Sequence, residues 1–133
     1  MLSVLIAVLV LHVLAAVFWA GSTFTLAWLG GERAEQLFGA QMGAAALAVI
    51  TGFYLWGELH RGPFGMAEQI LAVGVVAAFA AAGVQGALIG GARRKIAAGA
   101  DPTALRRRMA AGERIATVLL AITLIAMTAV RYI

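Results

Sequence analysis

Leu2–Leu29 reads LSVLIAVLVLHVLAAVFWAGSTFTLAWL, a run without Lys, Arg, Asp or Glu in which His12 is the single ionisable side chain. About 20 apolar residues suffice to cross roughly 30 Å of hydrocarbon as a helix, so this stretch is long enough to span a bilayer. An imidazole at such depth is costly unless it faces protein, water or a cofactor. That makes His12 the first candidate functional residue.

The rest of the chain has the same character. Of 133 residues, 63% are hydrophobic and 12% charged, against about 25% charged in an ordinary soluble domain. The length accommodates four spans with short connections and leaves no room for a separate soluble domain. The absence of cysteine excludes disulfides, thiolate metal sites and cysteine nucleophiles. A secretory leader has a basic start and an apolar core of about 7–15 residues. The first stretch has neither, so it is expected to be retained.

The expected spans are 2–29, 39–60, 65–90 and 112–132, forming a single all-α domain, an integral membrane antiparallel four-helix bundle. The second opens with Gly39 and Gly43, a small-residue spacing that permits close helix approach. It closes with Tyr54 and Trp56, rings suited to the headgroup layer. Gly62-Pro63 stops it. The third carries Glu68 in its first turn, where a negative charge suits the helix dipole. Its Gly74, Gly83, Gly86 and Gly90 permit tight packing in lipid. Asp101-Pro102 forms a helix start, Asp as N-cap and Pro at the first position.

Seven of the ten basic residues lie between Arg93 and Arg114. A basic segment beside a span sets topology before it suggests nucleic acid, which is discounted here. The segment 91–111 is expected to be a cytoplasmic loop, with both termini outside, in a bacterial-type inner membrane. Arg93, Arg94, Lys95, Arg106, Arg107 and Arg108 would touch anionic lipid.

Helical periodicity puts His12, Ala16, Trp19 and Thr23 on one face. Gln41, Ala45, Ala48 and Gly52 share a face of the second helix, and Gly74, Ala78, Ala81 and Gln85 of the third. On the fourth, Arg114, Thr117, Ala121, Thr128 and Arg131 fall in one sector. Small and polar faces should point inward in lipid. The candidate pocket is therefore Gln41, Gln85, Thr117 and Met127 around His12, Trp19 and Thr23. His12 lies roughly 15 Å from its end of the bundle at 1.5 Å per residue. His60 lies near the headgroups, so the two histidines, the only candidate metal ligands of that type, do not readily share one ion. His12 serves either as a ligand or as a hydrogen-bonding group between helices. Met127 is at comparable depth.

Enzyme templates are missing: there is no HExxH, GxSxG or Gly-rich phosphate loop. No Asp or Glu falls in the middle of an expected span, which argues against proton-coupled export through acidic residues.

The segment Leu11-His12-Val13-Leu14-Ala15-Ala16-Val17-Phe18-Trp19-Ala20-Gly21 resembles the opening helix of the copper-resistance D family and of the HemJ-type protoporphyrinogen oxidases. Thr51-Gly52-Phe53-Tyr54-Leu55 and Ala126-Met127-Thr128-Ala129-Val130-Arg131-Tyr132 resemble that wider group too. The resemblance implies a bundle using His12 for haem b or copper. The oxidases pair that histidine with a lysine in a later span, whereas Lys95, the only lysine here, lies in the basic segment. The expectation is haem b or copper bound through His12, for electron transfer or metal and haem handling. The rival is a non-enzymatic bundle: an accessory subunit, a channel or transporter, or a homo-oligomer joined through Gly39/Gly43 and Gly86/Gly90.

Overall fold

The computed structural model describes residues 1–133 and contains helices only. Four are long and apolar enough to cross a membrane: α1 (Leu2–Trp28), α2 (Ala34–Leu59), α3 (Met66–Ala97) and α4 (Pro102–Tyr132). α3 contains a wide π turn at Gln85–Gly90, and α4 ends in a 3-10 turn at Val130–Tyr132.

The punctuation expected from sequence is in place at several ends. The Asp101 carboxylate accepts from the Thr103 amide at 3.1 Å, with Pro102 at the first helical position. Glu68 accepts from the Gly65 amide at 2.9 Å, which closes the start of α3. α1 stops at Gly30 and Gly31, both left-handed at φ +68° and +83°. A Cβ on Gly31 would also lie 2.7 Å from the Arg106 carbonyl oxygen, so only glycine lets this turn seat against α4.

Two boundaries differ from expectation. α2 begins at Ala34 rather than Gly39 and takes Glu35 into its first turn. The segment 91–111 is not a loop: α3 continues past Gly90 to Ala97, α4 starts at Pro102 as the Asp101-Pro102 pair predicts, and only residues 98–101 connect them. The physical reason is that Ala, Arg and Lys are strong helix formers. Their charge bars them from hydrocarbon but not from a helix that projects beyond it.

The interior is built from small and polar residues. Ala15, Ala45, Ala48, Ala78, Ala81 and Ala116 surround Trp19 and Leu120 in one cluster. Leu26, Ala34, Ile89, Ala92 and Met109 form a second at the end carrying the basic residues. Large apolar side chains such as Ile6, Leu14, Val17, Ile50, Val76 and Ile125 are exposed instead. Water would penalise such an exterior; hydrocarbon would not, because bundle helices associate in lipid through small-residue contact and hydrogen bonds.

α1 packs against α2 and α4, and α3 packs along α4. α3 and α4 approach closely at Gly74, where an added Cβ would be 3.0 Å from Ala126 Cβ, and at Gly112, where it would be 3.0 Å from Leu88 Cβ. Thr123 Oγ1 donates to the Gly74 carbonyl at 2.8 Å. α2 meets α3 at its π turn, while the segments nearer Gly52 and Phe79 stay apart. Phe53 and Phe79, ring centroids 6.1 Å apart, reach across that gap.

The fourth-helix face expected from sequence is out of phase. The buried sector is Met109, Gly112, Glu113, Ala116, Leu120, Thr123 and Ala126. Arg114, Ala121, Thr128 and Arg131 are exposed, and Thr117 is half-buried. Gly39, Gly43 and Gly86 face open space rather than a neighbouring helix, whereas Gly90 sits beneath the Phe38 ring. These three glycines therefore do no packing within the chain.

Candidate functional site

The parting of α2 from α3 leaves a cavity of about 430 Å³ in the half of the bundle that holds His12. Its walls are apolar apart from His12, His60, Thr123, Thr128, Arg131 and the two indoles. A helix pair held apart by aromatic rings in this way makes a ligand-sized cleft, since small-molecule pockets run from roughly 300 to 1,000 Å³.

His12 is oriented by α2. Its Nδ1 lies 2.9 Å from Thr51 Oγ1. The Thr51 hydroxyl spends its own hydrogen on the Leu47 carbonyl at 2.6 Å, with the Ala48 carbonyl at 3.2 Å. Thr51 can then only accept from the ring, which places the proton on Nδ1. Nε2 is left with a lone pair and no hydrogen-bond partner, in a ring that lines the cavity. Gly52 permits this: an added Cβ would meet His12 Cε1 at 3.1 Å. A backbone that approaches the ring so closely fixes its height in the wall.

Met127 lines the same cavity. His60 does too, but its Nδ1 is engaged by Glu68 Oε1 at 2.8 Å. The two histidines thus have separate partners, and nowhere do three or more His, Asp or Glu side chains gather in a metal-binding group. Arg131 lines the cavity near the chain's end and forms no ion pair.

The other sequence-chosen residues lie elsewhere. Trp19 lines the cavity with its ring, but its Nε1 donates away from it, to Gln85 Oε1 at 2.7 Å. Thr23, Gln41 and Gln85 are fully buried and do not line the cavity. They form a polar cluster on the far side of Trp19, towards the basic end. Gln85 Nε2 donates to Thr23 Oγ1 at 2.9 Å and to Glu113 Oε2 at 3.2 Å. Gln41 Nε2 donates to Thr23 Oγ1 at 3.1 Å and to Ser22 Oγ at 3.2 Å. Thr117 only returns its hydroxyl to the Glu113 carbonyl at 2.8 Å, the usual helix back-bond.

The sequence reading therefore merged two sites into one and missed Glu113, Thr51 and Arg131. A signal for Glu113 existed. It lies at helical spacing from Met109, Ala116, Leu120 and Thr123, all buried. Its position at the very edge of the expected span 112–132, between Arg108 and Arg114, made it read as a group at the end of the span rather than inside it.

No protein-family model, curated protein or solved structure matches this chain. The resemblance to the copper-resistance D and HemJ-type group gains no support from those comparisons.

Proposed function

We propose that this chain is a multi-pass membrane protein that binds haem b in the α2–α3 cleft through His12, and serves electron transfer or haem handling. One observation carries the proposal. The His12 ring holds its proton on the side bound to Thr51, and offers an unshared lone pair on the side open to an apolar cavity. Metal-ligating histidines are fixed by a hydrogen bond from the other ring nitrogen in this manner.

The donor set favours haem over a copper ion. A bare ion needs several protein ligands gathered around it, and the cavity supplies the Nε2 atoms of His12 and His60, held by separate partners on different helices, and the Met127 thioether, with no group of three or more His, Asp or Glu. A haem iron arrives with four ring nitrogens and asks the protein for one or two more. Its two carboxylates would suit Arg131, a cation at the cavity wall without an acidic partner. Bound there, haem would supply one-electron chemistry. The chain's residues would orient it, exclude water from its faces and hold its charge at the rim.

In this reading the helices cross the membrane antiparallel, with the Arg93–Arg108 end in the cytoplasm. Clustered arginines at one end of the bundle support that side, by the bias of basic residues towards the cytoplasm. Both termini and the His12 cavity then lie towards the outer face of a bacterial-type inner membrane.

The test is an absorption spectrum of the detergent-purified protein, after addition of haem. A Soret band is expected, lost in His12→Ala and partly restored by added imidazole. A protein that stays colourless, or a His12→Ala variant with an unchanged band, would refute the assignment. Metal analysis of the same sample distinguishes copper, the alternative in the same cavity.

A further inference from the structure

The polar cluster beyond Trp19 draws on all four helices: Trp19, Ser22 and Thr23 from α1, Gln41 from α2, Gln85 from the π turn of α3, and Glu113 from α4. Thr23, Gln41, Gln85 and Glu113 each have 0% exposure, so water does not compete for their hydrogen bonds.

Its donors and acceptors can be counted atom by atom. Trp19 Nε1 is a donor only, so Gln85 must present its oxygen to it and both amide hydrogens to Thr23 and Glu113. The Thr23 hydroxyl donates to the Trp19 carbonyl at 2.6 Å, so it can only accept from the two glutamines. Both Gln41 amide hydrogens are therefore used on Thr23 and Ser22, which turns its oxygen away from them. Glu113 Oε2 accepts from Gln85. Two buried side-chain atoms in the whole chain are left without partners: Gln41 Oε1 and Glu113 Oε1. Gln41 and Glu113 are joined through shared partners, since Gln41 and Gln85 both donate to Thr23 Oγ1 and Gln85 also donates to Glu113, so the two orphans belong to one buried cluster.

Both orphans are acceptors, and one hydrogen satisfies both. We infer that Glu113 and Gln41 form a proton-binding site, in which Glu113 Oε1 carries a hydrogen that it donates to Gln41 Oε1.

The surroundings supply no competing charge. Glu113 takes part in none of the three ion pairs. α1, α2 and α3 bring only neutral groups to the carboxyl, namely Trp19, Thr23, Gln41 and Gln85. On α4 itself, Arg106, Arg107, Arg108 and Arg114 are exposed, as are Arg93, Arg94 and Lys95 at the end of α3. The Arg106 guanidinium is paired with Glu35 at 3.5 Å. An unpaired buried carboxylate is among the costliest groups a membrane helix can hold. Loss of the proton to water breaks the Oε1–H bond and leaves a carboxylate that needs a new donor. Rotating the Gln41 amide is the one local remedy, and it gives up the bonds to Ser22 and Thr23. Proton release and the Gln41 orientation are thereby coupled. Haem binding does not enter this inference.

Infrared spectroscopy of the protein in lipid nanodiscs, in neutral sodium-free buffer, tests it. Of the chain's six acidic residues Glu113 is the only buried one, so a single protonated-carboxyl band is expected. Glu113→Gln should abolish the band yet keep the fold, since its amide can donate to Gln41 and accept from Gln85. Gln41→Leu should keep the band and shift it to higher frequency, as a carboxyl without a hydrogen-bond acceptor does. A band that is absent in the wild type, or survives Glu113→Gln, overturns the inference. So does an unshifted band in Gln41→Leu. Loss of the band on adding sodium chloride also overturns it, since the two oxygens would then hold a cation.

Discussion

Thr51→Val isolates the step on which the His12 assignment turns. Valine keeps the shape of threonine but removes the oxygen that accepts from His12 Nδ1 at 2.9 Å. No helix hydrogen bond is lost, because the Thr51 hydroxyl only adds a second donor to the Leu47 carbonyl. The direct cost to folding is then that of one hydrogen bond, about 0.5–1.5 kcal/mol. The ring would turn towards the Ala48 carbonyl, the remaining acceptor in its neighbourhood. Nε2 turns with it, out of the direction that Thr51 and Gly52 jointly set.

Changes to such outer-sphere partners lower metal affinity by roughly 10–100-fold, or about 1.4–2.8 kcal/mol at 1.4 kcal/mol per tenfold. The expected effect on ligand binding thus exceeds that on folding. Haem titration followed by absorbance gives the first quantity and thermal unfolding in the same detergent gives the second. Thr51→Ser, which keeps the acceptor, should bind like wild type. If Thr51→Val binds haem with unchanged affinity while His12→Ala does not bind, the proton on Nδ1 is held by something else and the argument from Thr51 fails.

Three further substitutions probe separate parts of the structure. Gly52→Ala puts a Cβ 3.1 Å from His12 Cε1, so the ring must retreat; haem affinity should fall roughly tenfold or more, and an unchanged titration would show that the ring's height is not set there. Arg131→Gln should weaken binding of haem but not of its dimethyl ester, a comparison of two titrations that fails if both ligands respond equally. Gly31→Ala should cost more stability than Gly83→Ala by on the order of 2 kcal/mol or more. Gly31 combines a positive φ with backbone 2.7 Å away, whereas nothing lies within 4 Å of Gly83; equal melting temperatures would contradict the packing of the α1–α2 turn on α4.

The four helices were legible because a helix long and apolar enough to cross a membrane needs a long apolar run, and the composition shows such runs directly. The inward faces of the first three helices were legible for the related reason that Ala, Gly, Thr and Gln collect where helices touch. The same rule failed on α4. Arg114, Thr128 and Arg131 are polar and share a sector, but residues near helix ends can satisfy themselves at the membrane surface by extending their side chains. The bundle does not need to shelter them, so their phase carries no information about the interior. Glu113 was hidden by the opposite circumstance, a buried acid within a basic stretch. The π turn left no mark in composition, because what makes it worthwhile is tertiary: Gln85 matches the Trp19 indole N–H from another helix.

The contrast between the two polar regions explains why His12 is a better ligand candidate than Gln41, Gln85 or Glu113. At the basic end, every hydrogen-bonding group finds a partner among residues from all four helices once one proton is added. That region is complete in itself, and it holds the helices together where α2 also meets α3. Across Trp19 the helices part, and the Nε2 lone pair of His12 is left over. The chain had the means to satisfy it, as its threonines and glutamines do elsewhere. Instead Thr51 takes the ring's proton on one side and no side chain answers on the other. A half-buried imidazole whose hydrogen bonding is arranged on one side and open on the other has most to gain from a partner outside the polypeptide, and the apolar walls around it suit a ligand that carries its own polar centre.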